Sequence, residues 1–174
     1  MNMKRIIFFL LLSIICGNSI AQRHYGGIKG SEIYVGNNLT GDFNPYLSIG
    51  ISKYLSRTAY IKFALNQMET TSVATRSVGV WKSNEIFVNG MYYKMVYSNE
   101  ANVFLNLGAG GFIGSEKWFD SSKLMAGPMV GIEGEYFFGK KYAILLSVNE
   151  LYSVLSDVRQ WNTVFSVGLK ILLY

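Results

Sequence analysis

Apolar residues fall at every second position in eight separate stretches of this chain, and that spacing constrains the fold more than any other feature. A period of two puts successive side chains on opposite faces, so each stretch reads as a β-strand with two unlike faces. The second stretch is the clearest, with Leu47, Ile49 and Ile51 on one face and Tyr46, Ser48, Gly50 and Ser52 on the other. The third sets Ala59, Ile61, Phe63 and Leu65 against Tyr60, Lys62, Ala64 and Asn66. The eighth sets Phe165, Val167, Leu169, Ile171 and Leu173 against Ser166, Gly168, Lys170 and Leu172. The alternation predicts strands at 31–39, 45–55, 58–70, 85–97, 101–116, 123–138, 141–155 and 161–174.

The connections between them alternate in length. Ser56-Arg57, Ser98-Asn99-Glu100 and Gly139-Lys140 are tight, whereas 40–44, 71–84, 117–122 and 156–160 are longer. Short turns at one end and longer loops at the other are the pattern of an outer-membrane barrel with both termini periplasmic. Most of these strands also exceed the usual 5 to 6 residues of a soluble sheet and reach or exceed the ~9 to 11 that a tilted membrane strand needs. A soluble β-sandwich or a lipocalin-like barrel alternates as well, with its apolar face inward, and alternation alone does not separate inside from outside. Three features favour the membrane. The chain closes on an alternating strand. One face is small and polar. Aromatics gather near strand ends, as an interfacial girdle does: Tyr54, Tyr60, Tyr97, Trp118, Phe119, Tyr136, Phe137, Phe138, Tyr142, Tyr152, Trp161 and Tyr174. The expected fold is all-β: an eight-stranded antiparallel up-and-down transmembrane barrel of the OmpX/OmpA-like kind.

The first 21 residues read as a signal peptide. Lys4 and Arg5 form a basic start, residues 6–15 are apolar apart from Ser13, and Ser19-Ile20-Ala21 is a small-x-small cleavage site. The apolar run is too short to span a bilayer. Cleavage leaves a single barrel domain, 22–174. A lipoprotein acylated at Cys16 is the rival, but Ile15 stands where such a site needs a small residue. Cys16 is the one cysteine, so the exported chain has no thiol for a disulfide, a nucleophile or a metal.

Composition excludes other classes. The exported chain keeps 14 basic and 11 acidic residues, evenly spread, which gives nucleic acid no basic footprint. Fifteen per cent aromatics with 18 glycines and 2 prolines suits sheet in lipid rather than a disordered chain or a helical enzyme. His24, the one histidine, precedes the first strand, away from any serine that a hydrolase would pair with it, and no second histidine supports zinc. Gly26-Gly27 and Gly108-x-Gly110-Gly111 lack the following helix of a phosphate loop and read as bends or close approaches in a barrel. Asp120 and Asp157 fall in outer loops and read as solvated polarity. Pro128 predicts a bulge or a local loss of pairing. No catalytic, cofactor or metal residues are assigned.

If the apolar face looks at lipid, the other face carries Glu32, Lys62, Glu133, Glu135 and Lys170, with Lys94 beside them. An eight-stranded barrel is just wide enough for side chains to fill, and charges held from water must pair. These residues predict an internal salt-bridge network and no open pore; a proton or ion pathway is the alternative use. Trp81, in the 71–84 loop, and Trp118 with Phe119, in the 117–122 loop, are candidate contact points, with interfacial anchoring the competing role.

Short motifs run in a consistent order along the chain. They are Ala21-Gln22-Arg23, Lys29-Gly30-Ser31-Glu32-Ile33, Leu105-Asn106-Leu107-Gly108 with Gly114-Ser115-Glu116, Gly131-Ile132-Glu133-Gly134-Glu135-Tyr136, and Gly168-Leu169-Lys170-Ile171. In these segments and in their order the chain resembles the conjugative transposon protein TraO family of Bacteroidetes. The third and fourth strands match least, and Tyr174 extends past the family's usual aromatic ending. The resemblance implies an outer-membrane component encoded with a mating apparatus, with other envelope transfer proteins and lipid as partners, no direct contact with nucleic acid, and no catalytic residues. The other functional expectation is a free-standing small barrel of the OmpX or OmpW type, serving adhesion, envelope protection or passage of a small apolar solute. A lipid-modifying enzyme is set aside on the misplaced His24.

Overall fold

The computed structural model describes residues 26–40, 43–73, 80–99, 101–118, 121–156 and 159–174. The predicted signal peptide and His24 lie outside these residues. Eight strands follow one another: β1 (Lys29–Asn38), β2 (Pro45–Ser56), β3 (Ala59–Val73), β4 (Val80–Ser98), β5 (Val103–Trp118), β6 (Ser121–Phe138), β7 (Tyr142–Tyr152) and β8 (Trp161–Leu173). Each pairs antiparallel with its sequence neighbour, and β1 pairs with β8, so the sheet closes with no free edge. Closure is what makes a sheet tolerable in lipid, because every backbone donor and acceptor finds a partner across the ladder.

The period-two pattern decides what each face meets. Rows of apolar residues run round the outside in register: Ile49 faces Leu65, Leu65 faces Val88, and Val88 faces Ile113. On the other side Ile33 faces Leu169 and Leu169 faces Ile144. All of these are exposed on the outer wall, while the residues between them point inward and are buried. Glu32, Ser48, Lys62, Asn89, Asn106, Glu133, Ser147 and Lys170 are all less than 6 % exposed. An apolar exterior round a polar, charged interior inverts a soluble barrel, and it is the arrangement of a barrel whose solvent is lipid.

The end that carries the chain's described termini holds the tight turns. Arg57-Thr58 joins β2 to β3. At the β4–β5 connection, the Asn99 side-chain oxygen accepts from the backbone N–H of Ala101, Asn102 and Val103 at 2.9–3.1 Å. Gly139 takes a positive φ of 83° in the β6–β7 turn, a conformation that favours glycine. Register shifts at Tyr54/Ser56 and at Met95/Tyr97 fall close to this same end.

The structure departs from the expected strands in two places. β3 continues to Val73 and β4 starts at Val80, so most of the expected 71–84 loop is ladder and Trp81 is a strand residue. β5 likewise runs to Trp118 and β6 starts at Ser121, which makes Trp118 the last residue of a strand; Phe119 lies outside the described residues. Beyond the lipid the outward face need not be apolar, and the inward face is polar too, so runs such as Glu69-Thr70-Thr71 pair without alternating in polarity although Thr70 and Thr71 are buried. At Pro128 the expected local loss of pairing is seen, without a bulge. β6 stays in register with β5 across Gly111, and the ladder to β7 begins one residue later at Met129, so the missing N–H falls where pairing is already lost.

Candidate functional site: a charged knot inside the barrel

Five charged side chains from five positions on four strands meet inside the half of the barrel nearer the tight turns. Parity places them. Glu32 sits between outward Ser31 and Ile33, Lys62 between Ile61 and Phe63, and Lys170 between Leu169 and Ile171. Glu133 and Glu135 are two apart on β6, so both point inward. Register then aligns them, because Glu32 is the direct partner of Lys170 across β1 and β8.

Lys170 is the hub. Its ammonium bonds Glu135, stands 3.0 Å from Glu32 and lies 3.7 Å from Glu133. Lys62 bonds Glu133 at 2.5 Å and lies 3.8 Å from Glu32. Both ammonium groups are also set over tyrosine faces, Lys62 at 4.7 Å from the Tyr34 and Tyr93 ring centres and Lys170 at 4.6 Å from that of Tyr60. Such cation–π contacts strengthen when desolvated.

Three carboxylates and two ammonium groups leave a surplus of acid, and tyrosine hydroxyls meet it. Tyr60 donates to Glu133 at 2.5 Å and Tyr54 to Glu135 at 3.1 Å. The Tyr34 hydroxyl is 2.7 Å from Glu133 and 2.9 Å from Glu32, sharing one proton between them, and it accepts from Lys62 at 3.1 Å. Charged hydrogen bonds of this kind are the strong ones in a low-dielectric interior. Towards the turns, the rings of Tyr54 and Tyr60 continue from the knot into a buried apolar cluster with Phe104, Phe137 and Leu172. Tyr54 and Tyr60 pack 5.1 Å apart, and Tyr60 stacks on Tyr93 at 4.9 Å.

Towards the loops the lining turns from charged to neutral and polar. A small cavity lies against Lys62 and Tyr34, walled further up by Asn66, Asn89, Met129 and Asn149. Tyr46 donates to Asn66 at 2.7 Å, and the Ser147 and Ser166 hydroxyls are 2.7 Å apart. Next come Met68, Phe87, Phe112, Met125 and Leu151, a second apolar layer. At the loop end, Asn38 donates to Thr70 and to Asn162, each at 3.0 Å. The interior is thus filled in layers and not bored through.

Glu32, Lys62, Glu133, Glu135 and Lys170 are brought together. Lys94 is not: it faces outward, exposed, and its ammonium donates to the Thr58 hydroxyl at 3.1 Å. Tyr93 takes the inward position beside it, fully buried. Tyr54 and Tyr60, expected in the interfacial girdle, are inside the knot, and Phe137 is buried while Phe138 faces out. Two further acids were not expected in the interior. Glu85 and Glu116 are direct partners across β4 and β5 near the loop end, both buried, with Ser83 donating to one at 3.4 Å and Ser156 to the other at 2.9 Å. Glu85 shares the inward parity of Phe87 and Asn89, but this stretch is apolar on both faces and its sequence does not mark which face looks in. Among the described residues no three acids, histidines or cysteines gather as a metal site.

No family model matches the chain, and no curated protein does. Solved structures do match in shape. The N-terminal β-barrel domain of Pseudomonas aeruginosa OprF is 9% identical with a TM-score of 0.59, over 86% of this chain and 100% of that one. Ail, the attachment invasion locus protein of Yersinia pestis, solved with the heparin analogue sucrose octasulfate, is 12% identical with a TM-score of 0.57, over 86% and 100%. A de novo designed transmembrane β-barrel is 13% identical with a TM-score of 0.51, over 87% and 100%. At such identities the likeness is one of fold: a closed eight-stranded antiparallel membrane barrel.

Proposed function

We propose that the chain is a small, non-enzymatic barrel of a Gram-negative outer membrane that serves a conjugative transfer apparatus as a structural or docking component. The observation that carries the membrane half of this reading is the full ring of outward Ile, Leu, Val and Phe round a charged interior. Closed barrels with that inversion belong to outer membranes, and the signal-like start supplies the export route. The transfer half is supported by which residues the motifs contain. Lys29-Gly30-Ser31-Glu32, Gly131-Ile132-Glu133-Gly134-Glu135 and Gly168-Leu169-Lys170 carry the resemblance to the TraO family, and they supply four of the five charges of the knot. The partners in this reading are lipid and other envelope transfer proteins, with no nucleic acid held directly and no cofactor.

The filled interior bears on the alternative. A free-standing barrel of the OmpX or OmpW type remains a reading for adhesion or envelope protection, favoured by the long β3–β6 strands of 15 to 19 residues, which exceed the ~9 to 11 needed to cross lipid and so stand clear of it. Passage of a solute along the axis is disfavoured, because two apolar layers and the knot lie in its path.

Deletion of the gene in a donor strain, with complementation, tests the transfer reading. Transfer of the element should fall and be restored by the complementing copy. Transfer at the parental frequency, with the protein present in the outer-membrane fraction of the parent, would leave the free-standing barrel.

A further inference from the structure

The exposed charges of the barrel are not evenly divided between its ends. At the turn end stand Lys29, Lys53, Arg57, Lys94, Lys140 and Lys141, all exposed. Among the described residues no exposed acidic side chain accompanies them. The loop end mixes signs: Lys82 lies 3.9 Å from Glu69, and Lys117, Lys123 and Arg159 share that end with Glu69 and Glu150.

The cations of the turn end border the apolar wall directly. Lys53 sits on the same outward face as Ile51 and Leu55, and Lys94 on the same face as Tyr92 and Val96. Lys140 and Lys141 follow Phe138 and precede Tyr142, two exposed rings stacked at 5.9 Å. Lys141 also lies 5.9 Å from the ring centre of exposed Tyr174. Exposed rings and long basic stems at the rim of an apolar belt are the arrangement that anchors a protein at headgroup depth, stem in lipid and charge in the polar layer.

One pairing in this ring is unfavourable by itself. Lys29 and Lys53 are direct cross-strand partners of β1 and β2, both facing outward. Like charges placed directly opposite destabilise a sheet. An anion bridging the two would reverse the sign of that contribution.

We propose that this ring binds the phosphate headgroups of anionic phospholipids in the leaflet at the turn end, with the Lys29–Lys53 pair as its strongest point. The proposal rests on the reading that the apolar wall faces lipid and adds which lipid that wall selects. Two features fit this occupant: the single sign of the exposed side-chain charge among the described residues, and the continuity of Lys53 and Lys94 with the apolar belt, which puts their ammonium groups beside lipid heads. Clusters of four to eight basic residues at a membrane edge are known to attract anionic headgroups.

The test is lipid selection by the protein folded into mixed phosphatidylcholine–phosphatidylglycerol vesicles. The fraction of spin-labelled lipid immobilised at the barrel is compared for the two headgroups. Phosphatidylglycerol should be enriched roughly fivefold at low salt, the size expected from one lysine beside a headgroup of net negative charge, and the enrichment should fade in high salt as the charges are screened. Lys29→Gln, Lys53→Gln, Lys94→Gln and Lys141→Gln together should abolish it, whereas Lys82→Gln, Lys117→Gln and Lys123→Gln at the loop end should leave it. Equal immobilisation of both lipids by the inserted barrel, or enrichment that survives the four turn-end substitutions or high salt, would overturn the proposal. A chain that does not insert at all would fail earlier, in heat-shifted electrophoretic migration, and would overturn the lipid-facing reading itself.

Discussion

Lys170 shows how much a single residue decides in this molecule. It is fully buried, within 4 Å of all three knot carboxylates, and set over the Tyr60 ring. Lys170→Met would keep much of the volume and strip the positive charge, leaving Glu32 and Glu135 facing one another in a dry interior. The expected loss is about 3–5 kcal/mol of stability, the usual size for one partner removed from a buried ion pair, read as a lower urea midpoint in the folded, vesicle-inserted protein. Lys170→Met with Glu135→Leu should recover part of that loss, because the second substitution removes a stranded charge. A double variant less stable than the single would contradict the knot as described. Much of the knot was legible in the sequence. Glu32, Lys62 and Lys170 sit in frames where every neighbour two away points the same way, so parity alone sends them inward. Lys94 was misread for a local reason. Ile86-Phe87-Val88 and Tyr92-Tyr93 are apolar on both faces, and no contrast is left to tell which face looks in. The tyrosines of the knot were visible but ambiguous, since a tyrosine near a strand end suits either an interface or a buried carboxylate.

Strands were legible where they cross lipid and fade where they leave it. The eight segments were read in order because an apolar belt imposes alternation, and the tight turns followed from residues such as Gly139 that the turns require. The extensions of β3, β4 and β5 past Thr70, before Glu85 and past Glu116 were missed, because polarity no longer alternates there although the inward residues are buried. This difference along one element is testable. Val88→Arg, in the middle of the outward row that joins Ile49, Leu65 and Ile113, should cost about 2–4 kcal/mol of folding stability in vesicles, the cost of an arginine at the bilayer midplane. Lys94→Arg, on the same strand but at the rim, should cost no more than ~1 kcal/mol. Equal effects at both positions would mean that the belt does not track membrane depth.

At the scale of the whole molecule, closure, inversion and filling act together. Closure removes the sheet edges, inversion lets the outer wall rest in lipid, and the layered interior of aromatic floor, charged knot, polar cavity and apolar ceiling holds the wall at a diameter that eight strands set. Architecture was readable from the sequence because it rests on a repeated pattern. The function of the loop end was not, because loop chemistry follows no period and the fold is shared by barrels with different tasks. The central claim is that the apolar face of every strand meets lipid. The most direct measurement is electron paramagnetic resonance of single spin labels at Ile49, Leu65, Val88, Leu146 and Val167, in outer membranes isolated from cells producing the protein. Apolar oxygen should collide with all five labels far more often than a water-soluble nickel chelate does. Nickel collisions that match or exceed those of oxygen at these sites would place the wall in water and contradict the account.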